Sequence, residues 1–168
     1  DLVHERLREH PDLHVYHYAA YEPATLSRLM GAHGTREAEV DDLLRREILV
    51  DLYQVVRQGL RAGVPSYSLK EIEQFFFTRQ ADVKSGNDAV LSFEQYLESG
   101  DESLLADIEA YNEEDCLATL ELRDWLLEQR EDAKAQFGVE VPFRPPPETR
   151  ESKTESAEEL SEDRKSVV

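Results

Sequence analysis

The chain has 168 residues, of which 40% are hydrophobic and 33% charged, and its formal net charge at pH 7 is −18. This length supports one compact domain with a core, and the hydrophobic fraction excludes a wholly disordered chain. No apolar run approaches the roughly 20 residues that span a bilayer, and no secretory leader is recognisable, so we expect a soluble protein. The single Cys116 cannot form an internal disulfide, which suits a reducing cytoplasm. We expect Cys116 to lie in the core.

The first third of the chain alternates between helical and β-prone segments. Apolar spacing predicts a helix over residues 2–9 and a short strand near residues 13–18. Pro23 suits the first turn of a helix that follows the strand. Thr35 is expected to cap the next helix, because its hydroxyl can accept from a free backbone N–H in the first turn.

The middle of the chain contains a second strand and then becomes helical. A short strand near residues 47–51 should deliver Asp51 to the cap of a helix, and Ser68 is expected to cap another. Residues 101–137 keep helical apolar spacing throughout, with room for one break near Asn112. We therefore predict a largely helical chain with about two short strands.

The composition changes after Gly138. Several prolines lead into a segment rich in Ser, Glu and Lys with few apolar residues, and such a segment cannot bury enough apolar surface to offset its ordering entropy. This pattern predicts a domain over residues 1–144 and a linker or disordered tail over residues 145–168.

A possible site for chemistry lies in the long predicted helix. Tyr111 and Asp115 are one helical turn apart, so their side chains share a face. A carboxylate suits a hard divalent cation, and a nearby tyrosine hydroxyl can orient a metal-bound water. The structural alternative is that Tyr111 is a core residue and Asp115 is solvated.

The segment from Tyr111 to Asp115 resembles the third motif of the DEDD exonuclease superfamily, in its tyrosine subclass. In that family the matching Asp binds metal and the matching Tyr positions the nucleophilic water. The resemblance therefore implies these roles for Asp115 and Tyr111.

The second motif of such nucleases lies where a strand turns into a helix, and His17, Tyr21, Glu22 and Leu26 resemble its layout. The family usually has Asp where this chain has Glu22, which adds a methylene and can move the acid to the outer shell of the metal. Glu22 is equally a favourable acid in the first turn of a helix, where the dipole attracts negative charge.

Five blocks of sequence carry a wider resemblance, namely residues 16–22, 33–37, 50–53, 66–70 and 111–125. Over residues 14–129 the chain resembles the RNase H-like domain of bacterial RecB-like putative nucleases that continue into a helicase. The resemblance implies an α/β fold of the RNase H type, a nucleic-acid substrate, Mg²⁺ or Mn²⁺ at a two-metal site, and RecB-like and helicase domains in the parent chain. The first motif of the family, Asp-x-Glu on a strand, is not found before the predicted strand at Leu13. We therefore expect an N-terminally truncated domain, inactive by itself, with part of its sheet missing.

The leading hypothesis is metal-dependent 3′–5′ exonuclease hydrolysis of nucleic acid, with Asp115 and Glu22 as metal ligands and Tyr111 orienting the water. Two alternatives stay open: a non-catalytic nucleic-acid-binding or spacer module, which the acidic charge favours, and a helical interaction domain. Asp51 is better explained as a cap than as a further site acid, and Lys70 is either a phosphate contact or a solvated side chain. The five histidines lack the spacing of a zinc site.

Overall fold

The structure is a computed structural model that describes residues 2–79 and 86–143. Helices dominate these two ranges, as the sequence predicts. The elements in chain order are α1 (Leu2–Glu9), β1 (Val15–His17), α2 (Tyr21–His33), α3 (Glu37–Arg45), β2 (Leu49–Asp51), α4 (Leu52–Gly59), α5 (Leu69–Glu73), α6 (Gly86–Ser99) and α7 (Ser103–Phe137).

The two strands form a parallel pair. Val15 lies opposite Leu49, and His17 lies opposite Asp51. Parallel strands need a long connection, which α2 and α3 provide here. Both strands therefore end at the same edge of the sheet, and the prediction of two short strands is confirmed.

The main core joins α4, α5 and α7. Leu52 and Val56 of α4, Ile72 of α5 and Leu122 of α7 form one buried cluster. Trp125 extends it, with its ring stacked on those of Phe75 and Phe76. Because this cluster is largely apolar and almost completely buried, it fixes the long helix against α4 and α5.

A second cluster holds the N-terminal helix against the sheet. Its buried members are Leu7 of α1, Leu43 of α3 and Ile48, which directly precedes β2. Val3, Leu13 and Val15 pack around them. The helix predicted over residues 2–9 is therefore present, and it is anchored to α3 and to residues at the start of both strands.

The long helix α7 is continuous from Ser103 to Phe137, so the predicted break near Asn112 is wrong. It ends at Gly138, whose backbone has the left-handed φ of 64° that glycine adopts without a steric penalty. The expectation that Cys116 is buried is also wrong, because Cys116 is exposed. The buried face of the helix instead carries Ala118 and Leu122, and a residue two positions before Ala118 points to the opposite side.

Two of the three predicted caps are present. Asp51 accepts a hydrogen bond from the backbone N–H of Tyr53, and Ser68 accepts one from Glu71. The prediction for Thr35 is wrong, because α3 begins one residue later than expected. Its N-cap is Arg36, which has a left-handed φ of 58° and makes no side-chain cap bond.

The tail predicted over residues 145–168 lies outside the described residues. In the described ranges, no helix is both long and apolar enough to cross a membrane.

Candidate active site

The carboxyl end of β1 turns sharply into α2. Ala19, in this turn, has a left-handed φ of 65°, which is uncommon for a residue with a Cβ. Its N–H donates to Oδ1 of Asp51 at 2.9 Å, and its carbonyl oxygen lies 2.6 Å from Nδ1 of His17. Side chains from both strand ends thus hold the turn, at the sheet edge where ligands commonly bind in α/β folds.

The carboxylate of Asp51 stabilises the local fold by accepting three hydrogen bonds. Its Oδ1 accepts from the N–H groups of Tyr53 at 3.0 Å and Ala19 at 2.9 Å, while its Oδ2 accepts from Nε2 of Gln54 at 3.2 Å. These three donors support the interpretation of Asp51 as a cap. They also tie the start of α4 to the turn after β1, which no local pattern predicts.

Glu22 lies in the first turn of α2, beside the same strand end. Its Oε2 is 3.7 Å from Nδ1 of His17, whose side chain is 6% exposed, whereas the Glu22 side chain is 51% exposed. The N-cap residue of α2, Ala20, makes no side-chain cap bond. The acid therefore faces both a helix N-terminus and solvent, and the geometry suits either interpretation made from the sequence.

Tyr111 and Asp115 are brought together on α7, as their spacing predicts. Tyr111 is buried, and Asp115 is 38% exposed. Burial chiefly, and then the charge of Asp115 and a hydrogen bond with it, raise the pKa of Tyr111. The phenol therefore stays protonated at neutral pH, with its hydroxyl beside the carboxylate.

Asp115 also has a partner that the sequence did not reveal. Its Oδ1 lies 2.7 Å from Nη2 of Arg79. The same guanidinium binds Glu73 through two bonds, Nε to Oε1 and Nη2 to Oε2, each of 2.7 Å. The hydrogen bond to Glu73 is the largest of the causes that raise the pKa of Arg79, so this guanidinium is always charged.

Two cations lie against the ring of Tyr111. Nζ of Lys70 and Cζ of Arg79 are each 5.6 Å from the ring centroid, within the range of cation–π attraction. The charges of Lys70 and Arg79 balance those of Glu73 and Asp115. The side chains around Tyr111 therefore carry no excess of negative charge, whereas a divalent cation prefers a site with such an excess.

The candidate acids do not form a metal site as they are arranged here. Asp115 is paired with Arg79, Glu22 lies beside His17, and Asp51 accepts three hydrogen bonds. Within residues 2–79 and 86–143, no three His, Cys, Asp or Glu side chains are grouped closely enough to hold a metal ion. The oxygen ligands suit Mg²⁺ or Mn²⁺ chemically, but their geometry does not.

Sequence reasoning missed Glu73 and Arg79. Arg79 follows the end of α5 and reaches Asp115 only through the packing of α5 on α7, which no local spacing encodes. Glu73 itself could have indicated the pair, because this acid lies in sequence between an apolar residue, Ile72, and a run of three phenylalanines. An acid in such apolar surroundings is usually buried, and a buried acid needs a positively charged or hydrogen-bonding partner.

A groove elsewhere on the surface is separate from these residues. It is lined by side chains of α1, α3 and the residue after α3, namely His4, Glu5, Leu7, Arg8, Glu39 and Arg46. These elements carry none of the predicted site residues.

Parallel strands joined by a helical crossover, with a long helix packed on the first strand, define an α/β protein. The family model of the RNase H superfamily matches residues 1–127, about three quarters of the chain, and the chain therefore belongs to this superfamily. The superfamily indicates a nuclease that hydrolyses nucleic acid. Neither a curated protein nor a solved structure gives a significant match.

Proposed function

We propose that this chain is a domain of a 3′–5′ exonuclease of the DEDD type, tyrosine subclass, that hydrolyses phosphodiester bonds with the help of Mg²⁺ or Mn²⁺. The observation that carries the proposal is the pair of Tyr111 and Asp115, one turn apart on α7 with the tyrosine hydroxyl beside the carboxylate. In this proposal Asp115 and Glu22 are the metal ligands, and Tyr111 positions the attacking water.

The environment of Tyr111 supports its role as a hydrogen-bond donor. Its raised pKa keeps the phenol neutral at physiological pH, so its O–H can donate to a water or to a phosphate oxygen. The ring is held between the core and the two cations Lys70 and Arg79, which restrict its orientation. A fixed donor next to a carboxylate is the arrangement that directs a water towards phosphorus.

The position of Glu22 supports its place in the same proposal. It lies just after the carboxyl end of β1, and α7 packs against β1. Its carboxylate is half-exposed, whereas the carboxylate of the capping residue Asp51 accepts three hydrogen bonds. A two-metal hydrolase needs acids that reach one shared site, and Glu22 and Asp115 lie just after β1 and on the helix that packs against β1.

The proposal also covers the other domains of the parent protein. The blocks that resemble RecB-like putative nucleases extend over residues 14–129, and the superfamily match covers nearly the same stretch. We propose that the parent protein also carries RecB-like and helicase domains, so that unwinding and hydrolysis act on one nucleic acid.

A second candidate is a non-catalytic nucleic-acid-binding or spacer module. The observation that favours it is the 2.7 Å ion pair between Asp115 and Arg79, which neutralises the acid on which metal binding depends. The two candidates differ in what removal of the Asp115 charge does to activity.

The test uses the natural full-length protein with any other nuclease domain inactivated. We expect Asp115→Asn to lower Mg²⁺- or Mn²⁺-dependent degradation of end-labelled nucleic acid by about 100-fold or more, since it removes the charge that holds the cation while conserving shape. Tyr111→Phe should cost less, roughly 10-fold, because only the hydroxyl is lost. Degradation should start from the 3′ end.

The matched control is Asp107→Asn, an exposed acid on the same helix, which should leave the rate unchanged. Full activity in Asp115→Asn would refute the catalytic proposal and leave the binding or spacer module. Degradation from the 5′ end would refute the proposed polarity alone.

A further inference from the structure

The longest stretch of sequence without an aspartate or a glutamate extends over residues 52–70. It comprises α4, the loop that follows and the start of α5. The stretch contains Arg57, Arg61 and Lys70, in a chain whose formal net charge is −18. Because salt screens exposed carboxylates beyond roughly 10 Å, such a local excess of positive charge can attract an anion although the whole chain is acidic.

The exposed side of α4 presents its positive charge at one place. Leu52 and Val56 are buried in the main core, whereas Arg57 and Arg61 are exposed. Nη1 of Arg61 lies 3.4 Å from the carbonyl oxygen of Arg57, so the two arginines are neighbours at the end of the helix. Cζ of Arg57 lies 5.6 Å from the centroid of the Tyr53 ring, which fixes this guanidinium by a cation–π contact.

The three cations of the stretch are not neutralised by a direct partner. In the part of the chain that the structure describes, Arg57, Arg61 and Lys70 form no ion pair with a carboxylate. Most other basic side chains there do form one, as Arg45 does with Asp41. A phosphate group can therefore approach these three cations without first displacing an acid of the protein.

The stretch also reaches both parts of the candidate active site. At its beginning, Oδ1 of Asp51 caps α4 and holds the turn after β1, beside which Glu22 lies. At its end, Nζ of Lys70 lies 5.6 Å from the centroid of the Tyr111 ring. An extended anion bound along the stretch therefore lies close to the residues proposed for catalysis.

We propose that Arg57, Arg61 and Lys70 form a basic surface that binds the phosphate backbone of nucleic acid and positions it at the candidate active site. The inference rests on the proposed nucleic-acid substrate, and it needs no metal ion. The N–H donors of these cations bind phosphate oxygens through charge-assisted hydrogen bonds. Because phosphate contacts carry no sequence information, the basic surface binds different sequences about equally.

The test measures binding of the full chain to fluorescein-labelled single-stranded DNA and RNA of about 12 nucleotides, by fluorescence anisotropy. EDTA is present, so that no metal-dependent hydrolysis occurs. At about 50 mM KCl we expect Arg57→Gln with Arg61→Gln to weaken binding about 10-fold, because two phosphate contacts are lost. The slope of the logarithm of the binding constant against the logarithm of the salt concentration should become shallower by about 1.4 in this double variant and by about 0.7 in Lys70→Gln.

The matched control is Arg8→Gln with Arg28→Gln, which makes the same change in net charge on α1 and α2. Neither arginine forms an ion pair among the described residues, so the control also breaks no such contact. Its salt slope should equal that of the unmodified chain. Arg57→Lys with Arg61→Lys, which keeps both charges, should retain most of the binding.

The outcomes separate this inference from the proposed catalysis. Equal weakening by the two Gln double variants overturns the basic surface, because net charge alone then determines binding, and so does an unmodified chain that binds neither nucleic acid. An unchanged slope in Lys70→Gln overturns the positioning of the strand beside Tyr111. Full nuclease activity in Asp115→Asn refutes catalysis and leaves the basic surface standing if its double variant still weakens binding. If circular dichroism shows that this double variant is unfolded, Arg57→Gln alone carries the same expectation with about half the change in slope.

Discussion

Burial changes the acid–base behaviour of Tyr18, which lies between the strand end and the main core. Burial chiefly, and then the charges of Tyr53 and Asp51, raise the pKa of Tyr18 to about 12. A free tyrosine titrates near pH 10. Its hydroxyl donates to the carbonyl oxygen of Tyr67, and this bond needs the proton. The neutral phenol is therefore favoured in the folded chain.

This shift predicts a loss of stability in alkali. Because the folded-state pKa lies above the unfolded value, the contribution is fully present below about pH 10 and is lost as the pH rises towards 12. Urea unfolding between pH 8 and 12 should show the free energy of unfolding falling across this window. Tyr18→Phe should begin about 1 kcal/mol lower at pH 8 and fall less steeply.

The control for this prediction is Tyr21→Phe, which alters an exposed tyrosine and should follow the unmodified curve. Parallel curves for Tyr18→Phe and the unmodified chain above pH 10 would mean that Tyr18 does not cause the loss.

Individual site residues were predictable only where their neighbours in sequence are also their neighbours in space. Tyr111 and Asp115 meet because a helix brings residues four apart to one face. Arg79 and Glu73 belong to the same environment, but they reach it through the packing of α5 on α7. The ion pair of Asp115 with Arg79 therefore could not be inferred from spacing.

At the scale of elements, Asp51 joins a strand, a turn and a helix. It caps α4 through the N–H of Tyr53 and holds the N–H of Ala19. We expect Asp51→Ala to lower the free energy of unfolding by about 2 kcal/mol, since loss of a cap costs about 1 kcal/mol and a second donor loses its partner. Asp51→Asn should retain most of the stability, because Asn also caps well.

Chemical denaturation of these variants is the measurement. Asp41→Ala is the matched control, since Asp41 forms an exposed i,i+4 pair with Arg45, and its loss should cost only about 0.3–0.5 kcal/mol. Equal losses from the two Ala substitutions would show that Asp51 acts as an ordinary surface acid.

The beginnings and ends of helices were predicted well where one strong local signal determines them. Asp51 and Ser68 occur where apolar periodicity begins, and both caps are present. Asn112 is a weaker helix former, yet α7 continues through it because Tyr111 and Ala118 are buried on either side. At Thr35 the left-handed backbone of Arg36 intervenes, and a positive φ at a non-glycine residue has no reliable sequence signal.

At the scale of the whole molecule, the alternating β-prone and helical segments predicted a largely helical chain with two short strands, and the resemblance to RNase H-like nucleases implied the α/β class. The parallel pairing that is observed, with Val15 opposite Leu49, needs a long connection, and the helical segments predicted between the two strands provide it. The clusters around Leu7 and Ile72 could not be predicted as separate, because each combines residues that lie far apart in the sequence. Periodicity identifies a buried face but not the element that covers it.

The net charge of −18 affects the chain as a whole. At about 10 mM ionic strength the Debye length is roughly 30 Å, so carboxylates across the molecule repel one another, whereas near 0.15 M it shortens to about 8 Å. Screening should therefore stabilise the compact state. We expect the melting temperature to rise by a few degrees when NaCl is increased over this range, measured by circular dichroism.

Potassium chloride at the same ionic strength should reproduce this rise if screening is the cause, since screening depends on ionic strength and not on the cation. A fall in melting temperature would mean that attractive pairs such as Arg36 with Glu39, which are exposed and therefore weakened by salt, outweigh the general repulsion. The ion pairs of Arg79 with Glu73 and Asp115 should contribute little to a rise or a fall in melting temperature, because the largely buried Arg79 and Glu73 are screened least by salt. Arg79→Met should therefore show nearly the same salt dependence as the unmodified chain, displaced to a different melting temperature.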